Sequence, residues 1–430
     1  PFDDPAALTF GENGDQGVIK CGSFEGNANA DGPEINLGWE PQWVLLKNSD
    51  AYEHWVMFDS MRGIANGDDS YDERLWPSQA DNASAADNYI DLTPTGFKIS
   101  NTDAAFNGNG QTTIYVAIRR QDGYVGKPIA TGTDVFAMDT GAGGTTIPNY
   151  DSGFPVDMAF DKKPDSVAQW YLSTRLTGTK YLRPDENSSV QSQANYKWDS
   201  NVGWGDGSWQ DSTYQSWMFR RHAGFDVLTY VGNSVTGRQT PHSLSKTPEM
   251  IWVKNASGEN WAVYHKGLNS GTNPHLNEIW LNSSNSEQAT DVWNDTAPTS
   301  THFSLNNDGR VNETSANYTA ILFASVPGVS KVGRYTGAGS SDKTVTVGFQ
   351  PRLIIIKNAD STTEWGIYDT LRGINSSGSG GDHFLYLNET NAQWDDLTHI
   401  DLTSTGFTLK GNSWNGINQD SNNFIYYAHA

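Results

Sequence analysis

Pro41-Gln-Trp-Val-Leu-Leu-Lys47-Asn48 and Pro351-Arg-Leu-Ile-Ile-Ile-Lys357-Asn358 are two versions of one phrase, 310 positions apart. The correspondence runs without a gap from residues 41–99 to residues 351–409. Trp55, Asp59, Arg62, Gly63 and Ile64 fall on Trp365, Asp369, Arg372, Gly373 and Ile374, and Asp91 and Phe97 fall on Asp401 and Phe407. A match of that length with no insertion fixes strand lengths and loop lengths together, so one folded unit has been copied.

Two weaker copies lie between. Pro248-Glu-Met-Ile-Trp-Val-Lys254-Asn255, followed by Trp261 to Tyr264 and by Leu281-Asn282, restates the phrase clearly. The other copy is degenerate: Phe154 to Lys162 stands for the first apolar run, Trp170 to Gly178 for the Trp-to-Gly segment and Ser216 to Phe219 for the closing strand. The chain therefore divides into four repeats of about 105 residues, a common size for one domain. The expected boundaries are 1–120, 121–222, 223–327 and 328–430, with the first repeat carrying an N-terminal extension.

Within the fourth repeat, the runs 331–335, 344–347, 353–357, 365–368, 383–387, 406–409 and 423–428 are mostly β-branched and aromatic, and Gly, Asn, Ser and Asp separate them. That pattern predicts seven or eight short antiparallel strands, with no window of helical period. So many strands in so few residues predict an all-β chain of four tandem antiparallel β-sandwiches, of jelly-roll or concanavalin-like type. The unbroken apolar run Leu353-Ile-Ile-Ile356 implies cover on both of its faces. Short links after each closing strand, such as Arg119-Arg-Gln-Asp122 and Arg220-Arg-His-Ala223, suggest repeats packed in series.

The charge of −22 (28 basic against 50 acidic residues) opposes phosphate backbones and anionic lipid, which argues against nucleic acid as a partner. No apolar stretch is long enough to span a bilayer as a helix, so membrane insertion is not expected. A single cysteine, Cys21, cannot form an internal disulfide, and it reads as an inert thiol. The start at Pro1, without Met or an apolar leader, is expected to be a processed end or the ordered part of something longer.

The recurring Asp-x-x-Arg-Gly, at Asp59 to Gly63 and Asp369 to Gly373, reads as a carboxylate–guanidinium clasp across a turn, with Gly at positive φ. Acidic groups at Asp68, Asp69, Asp72 and Glu73 and at Asp395-Asp396 lack the spacing of a calcium loop and read as solvated loops. The nine histidines show no metal-ligand spacing, and no carboxylate pair, nucleophile elbow or phosphate loop stands out. No catalytic, cofactor-binding or metal-binding residue is therefore expected.

Aromatics are abundant, with 16 Trp among them. Trp55, Trp261 and Trp365 recur at one position and are expected in the core. Trp76, Trp198, Trp204, Trp209, Trp293, Trp394 and Trp414 have no Trp at the matching position of the other copies. These seven are the candidates for ligand or partner contacts, by stacking on sugars or protein surfaces. The copies differ most in the stretches 65–86, 185–209, 282–301 and 375–383, and the first three of these hold Trp76, Trp198, Trp204, Trp209 and Trp293.

Several phrases together resemble a family of repeat-containing virion proteins of marine phages, especially cyanophages. They include Tyr335-Thr-Gly-Ala-Gly339, Asp369-Thr-Leu-Arg-Gly373, Asn260-Trp-Ala-Val-Tyr-His-Lys-Gly267, Trp293-Asn-Asp-Thr-Ala-Pro298, Leu322-Phe-Ala-Ser-Val-Pro-Gly328 and Trp217-Met-Phe-Arg-Arg221. The resemblance implies a structural or adhesive, non-enzymatic role on the particle exterior, in the tail or its fibres. Its implied partners are other virion proteins and host-surface glycan, in a homo-oligomer. It carries no catalytic motif. The alternatives weighed beside it are a polysaccharide-degrading enzyme on a concanavalin-like fold and a capsid decoration protein.

Overall fold

In the computed structural model, residues 17–67, 72–85, 87–121, 131–208, 210–244, 246–374, 381–395, 398–412 and 414–430 are described. Apart from two single-turn helices, Ala104–Asn107 and Asn415–Asn418, and short 3-10 turns, the regular structure is strand. The chain is all-β, built of multiple antiparallel sheets.

The fourth repeat shows the plan. Its large sheet has the order Ser330–Thr336, Asn423–His429, Leu353–Asn358, Gly366–Asp369, Phe384–Tyr386. A small sheet, Lys343–Thr346, Gly406–Leu409, Ile400–Thr403, covers one face. All seven strands read from the sequence are present. Ile400–Thr403 is an additional strand, paired with Gly406–Leu409 through Ser404-Thr405. That two-residue turn lacks the Asn-Gly or Asp-Gly signal by which tight hairpins are recognised.

The order first, last, second, third recurs in the other large sheets. In the first repeat it is Ile19–Glu25, Thr112–Arg119, Pro41–Asn48, Val56–Asp59; in the second, Phe136–Thr140, Gln215–Phe219, Met158–Lys162, Tyr171–Thr174. In the third it is Phe225–Val231, Asn317–Phe323, Met250–Asn255, Ala262–His265. The first and fourth repeats thus share strand order and register: Leu45 lies between Val116 and Met57 as Ile355 lies between Tyr427 and Ile367.

The apolar run at 353–356 is covered twice. Ile354 and Ile356 face the small sheet with Phe407 and Leu409. Leu353 and Ile355 face a second apolar cluster, shared with Phe160 and Trp217 of the second repeat and with Trp252 and Phe323 of the third. Because period 2 sends alternate side chains to opposite faces, a strand buried on both faces loses its polar alternation.

Three large sheets therefore meet back to back, and the hydrogen bonds between them close a cycle. The Trp170 indole N–H of the second repeat donates to the carbonyl of Tyr386 in the fourth (2.9 Å), Trp365 of the fourth to Trp280 in the third (3.0 Å), and Trp261 of the third to Arg183 in the second (2.8 Å). Three equivalent lysines repeat the cycle: Lys162 Nζ to Thr390 O (3.2 Å), Lys357 to Ser284 O (3.2 Å) and Lys254 to Asn187 O (3.5 Å). Packing in series is corrected to a closed ring of the second, fourth and third repeats. The physical reason is that each sheet has an apolar second face, which a linear array would leave wet at its ends.

Burial lowers the pKa of Lys162 and Lys254 to about 8 and that of Lys357 to about 7. An unfolded lysine titrates near 10.4, so between about pH 8 and 10 the unfolded chain holds protons that the fold has released. Stability from these groups therefore rises with pH across that window and is lost as pH falls through the folded values. The urea midpoint of the wild type should rise from pH 7.5 to 9.5 relative to a variant with Lys162, Lys254 and Lys357 all changed to Met. Parallel pH profiles for the two proteins would show that the lysines stay charged in the fold.

The first repeat lies beside the ring, joined to it by a buried ionic network. Arg221 Nη1 is 2.8 Å from Glu40, Arg120 is 3.3 Å from Glu40 and 3.2 Å from Asp226, and Asp157 lies 3.4 Å from Arg221 and 3.7 Å from Arg175. Burial pushes the Glu40 carboxyl up against the pull of Arg221 and Arg120. At Asp157 burial also pushes up, but Arg221 and Arg175 outweigh it and the carboxyl is held low. Arg120 and Arg221 come from segments that read in the sequence as plain links.

Candidate ligand-binding surface

Phe384–Tyr386 is the edge strand of the fourth repeat's large sheet. Residue 394 returns to it as an isolated antiparallel bridge, in which the Trp394 N–H donates to Phe384 O (2.9 Å) and the Phe384 N–H to Trp394 O (3.1 Å). The backbone of Trp394 is thereby fixed while its side chain remains 45% exposed. Beside it, Tyr386 lies with its ring centroid 6.4 Å from Trp394 and 5.2 Å from Trp414, and Trp414 stacks on Phe384 at 6.0 Å. Two candidate tryptophans, 20 positions apart in sequence, so form one aromatic row with Tyr386 between them.

Amides and carboxylates border the row. Gln393 donates to Asp165 of the second repeat (2.7 Å), and Asn391 donates to Glu389 (2.5 Å). Burial raises the Glu389 carboxyl, and the neighbouring Glu364, which hydrogen-bonds to it, raises it further. Carboxyl groups in direct hydrogen-bond contact are closer than the roughly 5–9 Å that glycoside hydrolysis requires.

The other candidates sit elsewhere. Trp204 and Trp198 stack at 5.1 Å in the core of the second repeat, with Tyr150 and Tyr196 around them. Trp293 is buried against Tyr264. These three offer no free ring face, because in each case the sandwich core is closed by an aromatic that the other copies lack. Trp76 is half-buried, with the Arg74 guanidinium 4.6 Å from its ring centre. Trp209 lies outside the described residues. Of the tryptophans expected in the core, Trp261 and Trp365 are buried, whereas Trp55 is only half-buried.

Both Asp-x-x-Arg-Gly segments are clasps: Arg62 Nε to Asp59 and Arg372 Nε to Asp369 are each 2.6 Å, and Gly63 and Gly373 have φ of 132° and 113°. Asp369 also accepts from the Trp217 indole (3.1 Å), which ties the clasp into the ring. The reading of Asp72 as part of a solvated loop is corrected. Its carboxylate is buried and accepts the backbone N–H groups of Ala65 (3.0 Å), Tyr89 (2.7 Å) and Ile90 (2.8 Å). Burial pushes it up to about 7. Asp382 grips His399 (2.6 Å) and Ile400 (2.7 Å) in the same way. Asp68, Asp69 and Asp396 lie outside the described residues.

A cavity of about 450 Å³ opens where the first repeat meets the second and third, lined among others by Asp91, Lys98, Lys180, Tyr230 and Arg238. Its charged groups are largely engaged: Arg238 lies 4.9 Å over the Tyr230 ring and bonds Asn312 (3.1 Å), Lys98 pairs with Asp31, and Asp91 accepts from Gly67 (3.1 Å). No local pattern of residues signals it, because its walls come from three repeats. Among the described residues no His, Cys, Asp and Glu group has the arrangement of a metal site, and no helix is long and apolar enough to cross a membrane.

The family model of a domain of unknown function, DUF7483, matches residues 5–121 and 172–430. The chain belongs to this family. The stretch that DUF7483 leaves unmatched, residues 122–171, covers the N-terminal half of the second repeat, the copy that has drifted furthest in sequence. Comparison with curated proteins gives no match.

Proposed function

We propose that this chain is a non-enzymatic structural and adhesive protein on the exterior of a phage particle, in its tail or fibres, and that it holds host-surface glycan on the row Trp394, Tyr386 and Trp414. The observation that carries the reading is Trp394, which keeps a broad ring face in solvent while two main-chain hydrogen bonds pin its backbone. The C–H face of a pyranose ring is weakly positive and apolar, and it complements the negative face of an indole. Asn391, Gln393 and Asp395 stand next to that ring in sequence and can supply the hydrogen bonds that select among sugars. The resemblance to marine phage virion proteins supports the exterior placement, as does an acidic surface suited to a salt-rich medium that screens it.

The test is binding to an array of bacterial surface polysaccharides. Trp394→Ala should lose at least tenfold in affinity for any polysaccharide the wild type retains, with an unchanged melting curve. Equal retention by variant and wild type overturns the assignment of the row. Release of reducing ends during the incubation overturns the non-enzymatic reading in favour of a polysaccharide-degrading enzyme. Tens to hundreds of copies per particle on a quantitative gel would place the protein on the capsid.

A further inference from the structure

We infer that the first repeat is an assembly unit: three copies of this chain join through it about a three-fold axis and rebuild, between chains, the ring that the other three repeats form within one. The second faces of the large sheets carry the argument. Position by position, Met158, Met250 and Leu353 correspond to Trp43; Phe160, Trp252 and Ile355 to Leu45; Leu172, Val263 and Ile367 to Met57; and Trp217, Ile321 and Tyr427 to Val116. In the ring these twelve residues are buried, none more than 2% exposed. Trp43, Leu45, Met57 and Val116 are all partly exposed, and Ile114 and Ile19 on the same face are 39% and 37% exposed. An apolar sheet face that folding leaves open marks an interaction site.

The hydrogen-bonding parts of the ring are also present in the first repeat, where no counterpart meets them among the described residues. Trp55 occupies the position of Trp365, and Lys47 that of Lys357. Trp55 is half-buried, and among the described residues Lys47 Nζ bonds only Asn48 and Ala51, in its own turn. The acceptor side is in place too. Leu75 pairs with Met57 as Leu385 pairs with Ile367, which sets the carbonyls of Trp76 and Ala80 where Tyr386 and Thr390 receive Trp170 and Lys162.

The donor and acceptor edges are different parts of the sheet, so the contact is head-to-tail. A head-to-tail contact either closes into a ring or runs on as a filament. Here the closure number is on view: the same contact between second, fourth and third repeats closes after three. Two copies would leave one donor edge and one acceptor edge unmet, so the occupant of the open face is a pair of further copies of this chain.

Sedimentation and light scattering of the full chain at tens of micromolar, in 0.15 M salt or more to screen its charge, should give three times the chain mass. Leu45→Lys and Val116→Lys place a charge where the ring is apolar but where the single chain is solvated. Each should sediment as a monomer with unchanged circular dichroism. Trp55→Phe removes one N–H and keeps most of the ring, and should raise the dissociation constant at least tenfold. Cys21 stands at the position of the buried Val332, across from Val116 as Val332 is from Tyr427. Maleimide should therefore label it slowly in the wild type and quickly in Leu45→Lys. A wild-type monomer, a dimer, or a trimer indifferent to both lysine variants would overturn the inference.

Discussion

Arg221→Ala should destabilise the protein by about 3–5 kcal/mol, the range for stranding a buried charge by removing its partner. Arg221 is 6% exposed; its guanidinium is 2.8 Å from Glu40 and 3.4 Å from Asp157, and it also donates to Val227 O at 3.3 Å. Truncation leaves Glu40 to Arg120 at 3.3 Å and Asp157 to Arg175 at 3.7 Å, contacts too long to replace it. The pH dependence gives the mechanism away. Glu40, already raised by burial, loses a cation and rises further, so the variant takes up a proton there as pH falls and regains stability. In the wild type Asp157 is held below the ordinary carboxylate range, so its contribution stays in place from pH 7.5 to pH 5 and is lost only at lower pH, and the change across this window is that of Glu40. The gap between the two proteins should therefore narrow from pH 7.5 to pH 5. Urea unfolding at both values measures it. A deficit under about 1 kcal/mol, or one that does not change with pH, would mean the network tolerates the loss by admitting water.

The strands were legible because each repeat checks the others, whereas their order in the sheets comes from the structure alone. A run that is apolar in one copy and alternating in another still marks the same strand. The ring was legible only in part. Leu353-Ile-Ile-Ile356 signalled two covered faces, and Trp43-Val-Leu-Leu46, whose alternate residues are half-exposed, carries the same apolar pattern without the cover. A strand cannot state from its own residues whether its second face is met inside the chain or by another chain. The rule that shared aromatics are core and unshared ones are free failed in both directions. Trp204 and Trp293 are unshared yet close the cores of their own sandwiches, while Trp55 is shared and half-exposed. The expectation that Trp76 has no Trp at its matching position is also corrected: Trp280 stands there, and Trp76, Trp280 and Tyr386 are one aromatic position, whose carbonyl is the ring's acceptor in the third and fourth repeats. The Arg120 and Arg221 network was not legible, since its members lie up to 186 positions apart, from Glu40 to Asp226, and only Asp157 and Arg175 fall within repeated segments, in the degenerate copy.

Trp365→Ala should cost about 3–5 kcal/mol, since a fully packed Trp leaves a cavity that its surroundings close only in part. Trp365 is 2% exposed in the ring, its indole N–H donates to Trp280 O at 3.0 Å, and its backbone N–H is received by Asn388 at 2.8 Å. The truncation therefore removes packing between the fourth and third repeats and strands a carbonyl at the same time. Trp55→Ala supplies the internal control, because the two tryptophans share sequence context and strand register but not surroundings. In a chain made monomeric by Leu45→Lys, Trp55 faces solvent on one side, and its truncation should cost less than half as much as that of Trp365. In the assembled wild type the two costs should converge, since Trp55 would then donate to a neighbouring chain as Trp365 does to a neighbouring repeat. Urea midpoints of the variants, read with and without Leu45→Lys, separate the cases. Equal costs in both backgrounds would mean that Trp55 is held by its own repeat alone, and that its position in the sequence, not its contacts, is all it shares with Trp365.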